Sequence, residues 1–330
     1  GGITKEDTVE FCRIIDGLPD IIQISAGIHH IARLNIHTIP TYLKPPACNA
    51  HVAEAVKKAV KLSAVDLGGA AADPDVAEEI IASGKADFMS MARQLTVADQ
   101  DYPRKLMLGH PERINNCLRC HTCGMSCAVN PLRPDEAARR RIQKAEESHK
   151  VVIVGGGPGG MKAAITAAER GHKVVLLEKK QQLGGALEFS DNDPDKCDIR
   201  RLKNNMAEVI DGYDNIDVRL GVEATPEMVA AENPDVVIAA VGAHYAVPDI
   251  PGVNGANVMP AARVFSDMDE VGNEVVVIGG GLTGCETAIH LAHCGKNVTV
   301  IGRNARICPE LFNGLPKVST PHAEKRFNPA

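Results

Sequence analysis

The chain has 330 residues, a formal net charge of −6 and 24% charged residues, enough for two or three domains with buried cores. The mildly acidic balance gives no reason to expect nucleic acid or an anionic membrane surface as partner, and no stretch reads as a membrane span or a signal peptide. Ten cysteines, four bunched within residues 117–127 and six scattered, exclude a secreted disulfide scaffold and point to metal binding in a reducing compartment, so a cytoplasmic protein is expected.

The chain opens at Gly1-Gly2 without an initiator Met and runs at once into a capping-box pattern, Thr4 with Asp7, ahead of a helical stretch. It reads as a piece of something longer. Apolar runs at 20–27, 63–69 and 86–93 are expected to be buried parallel strands. Between them, 49–62 and 73–84 have helical periodicity. The second has Asp73 as N-cap, Pro74 in the first turn and Gly84 as its stop. Alternation of strand and helix is the pattern of an α/β barrel or a doubly wound sheet.

The run NNCLRCHTCGMSCAVNP follows at 115–131, with Cys117, Cys120, Cys123 and Cys127 spaced C-x2-C-x2-C-x3-C. That is also the ferredoxin spacing, in which the fourth cysteine of a run serves a second cluster because the short turn points it away. Only one such run exists here, so Cys127 must bend back to join the other three. Zinc is the rival to iron–sulfur, although structural zinc usually draws on two separated C-x2-C pairs. The other six cysteines lack metal spacing and read as small apolar fillers. Residues 134–150 are charged and read as a solvated linker, with Arg139–Arg141 on an exposed face.

At 151–178 a strand, a glycine turn, a helix and a second strand follow one another, and the same order returns at 274–301. A weaker strand is expected at 235–242. In the first copy Gly155, Gly157 and Gly160 form G-x-G-x-x-G directly after a strand. The glycines permit a tight turn, close approach of a pyrophosphate, and helix–strand packing. Glu178 ends the second strand where an acid binds a ribose hydroxyl pair. Gly279, Gly281 and Gly284 repeat the turn. Their second strand ends at Ile301-Gly302-Arg303, where Arg303 suits a 2′-phosphate or is an exposed residue without a ligand. Two dinucleotide turns imply FAD beside NAD(P)H. Glu286 is either a nicotinamide contact or a favourable charge near a helix start.

This order of parts resembles the iron–sulfur flavoenzymes related to old yellow enzyme, the group of 2,4-dienoyl-CoA reductase, trimethylamine dehydrogenase and the enoate reductases. The resemblance covers residues 1 to about 304 and is carried by SAGIHH (25–30), DFMSMAR (87–93), the cysteine run with AVNP, and the two glycine turns. It implies that 1–110 are the last three βα units of a TIM barrel and that 111–133 hold a [4Fe-4S] cluster on Cys117, Cys120, Cys123 and Cys127. It further implies an FAD-binding Rossmann-like domain at 151–243 and an incomplete NAD(P)-binding one at 244–304. An irregular tail fills 305–330. FMN phosphate is expected at Gly68, Gly69, Ala92 and Arg93, backbone amides plus one guanidinium. Arg93 as an ordinary ion-pair residue is the plainer reading. His29, with His30 as rival, matches an active-site histidine of the dienoyl-CoA reductase branch.

The implied activity is reduction of an activated C=C bond, electrons passing from NAD(P)H through FAD and the cluster to FMN. The implied partner is a small unsaturated carbonyl compound, and a homo-oligomer is left open. A proton donor, often a tyrosine, would lie upstream of residue 1. Since a full barrel needs about 250 residues, the chain is expected to be a truncated portion of such a reductase. Two alternatives stand beside it. One is an electron-transfer diaphorase resembling the glutamate synthase small subunit. The other is a non-catalytic, zinc-stapled nucleotide-binding protein.

Overall fold

A computed structural model describes residues 2–28, 31–123, 126–131, 142–304 and 307–308. The chain divides into two compact units, Gly1–Ser190 with Pro194–Gly242, and Asp191–Asp193 with Ala243–Ala330.

The first unit opens with α1 (Lys5–Ile15). The Thr4 side chain accepts from the Asp7 amide and the Asp7 carboxylate accepts from the Thr4 amide, so the capping box forms as its residues require. Strands β1 (Ile21–Ile24), β2 (Ala64–Gly68) and β3 (Phe88–Ser90) make a parallel three-stranded sheet in that order. Two helices connect them, α3 (Ala50–Ala59) and α4 (Pro74–Ala82), while a short α2 (Ala32–Thr38) follows β1. Val65 and Leu67 of β2, with Ala53 and Val56 of α3, are fully buried at the centre of this core. Asp73 caps α4 through the Asp75 amide, and Gly84, with φ +71°, sits beyond the helix C-cap at Ser83, as its sequence indicates.

Two expected elements come out shorter. The helix expected over 49–62 ends at Ala59, because the Asp16 carboxylate accepts from the amides of Lys61, Leu62 and Ser63 and pulls that segment out of helical register. The strand expected over 86–93 stops at Ser90. Ala92 and Arg93 already belong to a helical turn that runs into a π-helical turn, Gln94–Ala98. A short helix α5 (Tyr102–Met107) and the cysteine run follow.

From Lys150 the same unit builds a second sheet, all parallel, in the order β6-β5-β4-β7. Its strands are β4 (Lys150–Val154), β5 (Lys173–Glu178), β6 (Ile216–Leu220) and β7 (Val236–Ala239). Helix α6 (Pro158–Glu169) crosses from β4 to β5, and α7 (Cys197–Asp211) packs against α6. Valine and leucine runs in β4 and β5 are buried on both faces, the usual condition of central parallel strands. A short α8 (Pro226–Ala231) precedes β7.

In the second unit a short α9 (Ala261–Val264) precedes β8 (Glu274–Ile278), α10 (Leu282–His293) and β9 (Asn297–Ile301). The two strands pair in parallel under α10. Leu291, Ala288, Val264 and Val298 form its core.

Candidate functional site

The cysteine run is tied to residues outside it. Buried Gln94, in the turn after β3, donates to the Asn115 carbonyl at 3.1 Å and accepts from the Cys117 amide at 2.7 Å. Asn130 donates to the Val97 carbonyl at 2.8 Å and fixes the far end. Arg119 and His121 have φ of +53° and +61°, so the backbone alternates in handedness between the cysteines. Such alternation turns successive amides toward one point, as in the anion-holding nests around iron–sulfur and phosphate groups. The Arg119 amide indeed donates to Cys117 Sγ at 3.4 Å.

Cys117, Cys120, Cys123 and Cys127 line one small cavity, walled by Val97, Ala98, Leu118 and Val129. Cys127 thus lines the same cavity as the other three. Residues 124 and 125, inside that turn, lie outside the described residues. Burial pushes the Cys117 thiol up, against the opposing pull of the Arg119 amide and the Arg93 charge. None of the ten cysteines is in a disulfide. Among the described residues, no group of three or more His, Cys, Asp or Glu side chains is arranged to hold a metal ion.

Arg93 also lines this cavity. It donates through Nη2 to the Pro40 carbonyl at 2.9 Å, while Nη1 is buried with no hydrogen-bond partner among the described residues. Gly69, with φ +100°, follows β2, and a Cβ there would stand 3.6 Å from the Pro40 ring. Gly69 and Arg93 thus both meet Pro40, with Gly68 and Ala92 their neighbours in the chain. An unsatisfied buried guanidinium nitrogen is what a phosphate oxygen would complete. His29 and His30 lie outside the described residues.

One group here was not singled out from sequence. Asp66, buried in β2, accepts from Gln23 of β1 at 2.7 Å and from the Ser90 hydroxyl of β3, and its Oδ1 is left without a partner. The signal was present, since a carboxylate in the middle of the apolar run SAVDLGG needs a reason to be buried.

The first glycine turn has the geometry its spacing requires. Gly155 has φ +106°, and a Cβ on it would lie 2.3 Å from the Ala240 carbonyl oxygen. A Cβ on Gly160 would lie 1.8 Å from the Gly155 oxygen. Gly157 is the N-cap of α6, so the helix presents its free amides at the turn. Glu178, at the end of β5, meets the turn, its carboxylate accepting from the amides of Gly156 at 2.6 Å and Lys180 at 2.8 Å.

In the second unit the turn is built the same way. Gly279 has φ +126°, Gly281 is the N-cap of α10, and a Cβ on Gly284 would lie 1.8 Å from the Gly279 oxygen. Arg303 is exposed just past β9.

Comparison with known proteins places these features in a lineage. Residues 149–326 match the family described as pyridine nucleotide-disulphide oxidoreductase. An NADH oxidase of Thermoanaerobacter brockii is 37% identical over 323 residues, 91% of this chain and 48% of the relative. A bilirubin reductase of Mediterraneibacter gnavus is 36% identical over 326 residues, 94% of this chain and 49% of the relative. The solved 2-naphthoyl-CoA reductase–2-naphthoyl-CoA complex superposes with a TM-score of 0.82 at 32% identity, covering 96% of this chain and 49% of that one. The chain thus spans about half the length of the curated relatives it matches. These relatives bear out the resemblance to the old yellow enzyme and 2,4-dienoyl-CoA reductase group.

Proposed function

The chain belongs to the pyridine nucleotide-disulphide oxidoreductase family, and from that premise we propose that it is part of an NAD(P)H-dependent flavin oxidoreductase acting on an activated C=C bond. FAD takes the turn of Gly155, Gly157 and Gly160, with Glu178 on its ribose hydroxyls. The nicotinamide dinucleotide takes the turn of Gly279, Gly281 and Gly284, with Arg303 beside a 2′-phosphate. The parallel sheet β1–β3 is read as part of a barrel whose Gly68, Gly69, Ala92 and Arg93 hold FMN phosphate. The four cysteines hold a [4Fe-4S] cluster. When bound, these groups supply the redox chemistry, carrying electrons from NAD(P)H to the substrate alkene.

The observation that carries this reading is the shared cavity. Arg93, the candidate phosphate ligand, forms part of the wall around the four cysteines. A flavin phosphate subsite and a thiol-lined subsite in contact suit a chain that hands electrons from one group to the other. The wall around the thiols is largely apolar, Cys117 is buried, and the amide of Arg119 supplies an N–H···S bond that favours negative charge on sulfur. The substrate class rests on relatives named for bilirubin and 2-naphthoyl-CoA; a naphthoyl thioester is an unsaturated carbonyl compound. His29, which follows β1 in the sequence, is the candidate to hydrogen-bond such a carbonyl.

The test is cofactor content. After purification without oxygen, iron, acid-labile sulfide, zinc, FMN and FAD are quantified per polypeptide. About four irons and four sulfides, with FAD and FMN, are expected. Arg93→Ala should lower FMN while leaving FAD unchanged. Zinc without sulfide would overturn the electron path, and iron, sulfide and FAD without FMN would make the chain a diaphorase.

A further inference from the structure

Arg119 stands between Cys117 and Cys120, at a position that spacing rules treat as filler. It is the largest of the fully buried side chains, 2% exposed. Its Nε donates to Asp198 Oδ2 at 2.7 Å, and Asp198, in the first turn of α7, is itself 3% exposed. Its Nη1 donates to two carbonyls, Thr41 at 3.1 Å and Lys44 at 2.6 Å, in the loop before α3. These partners lie 75 to 79 residues away in sequence. The same residue has φ +53° and gives its amide to Cys117 Sγ.

We infer that Arg119 is a positioning residue that builds the cysteine loop before any metal group arrives; the inference rests on the cysteine run being a redox-cofactor site. The physical reason is directional. A guanidinium is planar, with donors fixed in a fork. Satisfying a carboxylate on one edge and two carbonyls on another leaves the Arg119 side chain one place to be. That anchors its Cα in the left-handed conformation, which a non-glycine residue adopts only when its surroundings hold it there. The anchored Cα then sets where the Cys117 and Cys120 side chains leave the backbone. Asp198 belongs to the helix packed on α6, so the loop is registered to the flavin half of the unit as well as to the β1–β3 half.

Loop construction is separable from simple stability, because a buried ion pair replaced by apolar residues of similar size often leaves stability unchanged. The full chain is stripped of metal, and the alkylation rate of each cysteine by iodoacetamide is followed by peptide mass spectrometry beside the thermal midpoint. Arg119→Met should lower the midpoint and speed alkylation of Cys117 and Cys120 about tenfold, with buried Cys12 of α1 unchanged. Arg119→Met/Asp198→Leu should regain the midpoint yet keep the fast Cys117. A double variant with the wild-type midpoint and a fully protected Cys117 overturns the inference. If that variant does not fold, Arg119→Lys decides. Lysine can meet Asp198 but cannot fork to Thr41 and Lys44, so Cys117 should be fast, and a protected Cys117 overturns the inference. Because these rates are read without metal, absence of iron and sulfide from the wild-type chain would overturn the iron–sulfur reading alone.

Discussion

Tyr102 carries a buried hydroxyl with no hydrogen-bond partner among the described residues. Burial, with Asp73 adding to it, pushes the phenol up to about 12. The fold therefore favours the neutral form. That contribution is present below pH about 10, the unfolded value, and is lost as pH rises through about 12. Tyr102→Phe should gain up to about 1 kcal/mol at pH 7, since an orphaned hydroxyl is removed without leaving a cavity. The variant should also lose less stability than the wild type between pH 9 and 11. Urea unfolding at the three pH values checks both.

The glycines of the first turn differ in a way that spacing alone does not show. A Cβ at Gly160 collides with the Gly155 carbonyl and approaches Ala240, whereas at Gly159 nothing lies within 4 Å. Gly160→Ala should push α6 off the turn, costing about 1–3 kcal/mol and most of the bound FAD. Gly159→Ala should leave the flavin-free chain as stable or more so, by about 1 kcal/mol, through helix propensity. Thermal melts and flavin absorbance per polypeptide separate the two. At Arg303, replacement by Ala should weaken NADPH binding about tenfold (~1.4 kcal/mol for a lost charge-assisted contact) and leave NADH binding unchanged. Equal loss of both would show that Arg303 meets no 2′-phosphate.

Charged contacts tie some elements of this chain to one another. Glu232, the C-cap of α8, accepts from Arg219 of β6 at 2.6 Å and from Lys150 of β4 at 2.9 Å. The Arg219 hydrogen bond, with Lys150 adding to it, holds the Glu232 carboxyl down to about 2. The tie is thus present above the ordinary carboxylate range and is lost as pH falls toward 2. Glu232→Gln should lower the thermal midpoint at pH 6, with the difference from wild type vanishing near pH 2. A difference that persists at pH 2 would show that the corner is held by something else.

Element boundaries were readable where the cause is local. The cap of α1, the start and the stop of α4, and both strand–turn–helix copies each follow from residues within five positions of one another. Helix α7 was missed although Ile199, Leu202, Met206 and Val209 recur at helical spacing. Its charged residues masked the stripe, and two of them, Asp198 and Lys203, are buried. The early end of α3 was unreadable for a related reason, since the carboxylate that ends it belongs to Asp16 at the far end of α1.

At the scale of the whole molecule, each unit has its own hydrophobic core and its own dinucleotide turn. Calorimetry should therefore resolve two transitions. FAD at a hundred times its Kd should raise the one belonging to the first unit by about 2.7 kcal/mol, and a nicotinamide dinucleotide the other. A single transition moved equally by both ligands would contradict this. Among the described residues no helix is long and apolar enough to cross a membrane. In the second unit, Val276 and Ile278 of β8 are 56% and 64% exposed, so its two-stranded sheet is covered mainly on the side of α10.

The sequence by itself determined what short-range backbone needs dictate. A glycine that must take φ above zero, a cap that must accept an amide, and a strand buried on both faces each leave a mark within a few residues. On that basis the two dinucleotide turns and the cysteine spacing were legible. Only the tertiary structure decided how the cysteine run closes. Gln94, Asn130 and Arg119 shape it through partners that lie from 21 to 79 residues away. Which distant carbonyl or carboxylate meets a buried donor depends on the path of the whole chain, because every such donor must find a partner somewhere. Spacing counts residues along that path and carries no record of where it turns.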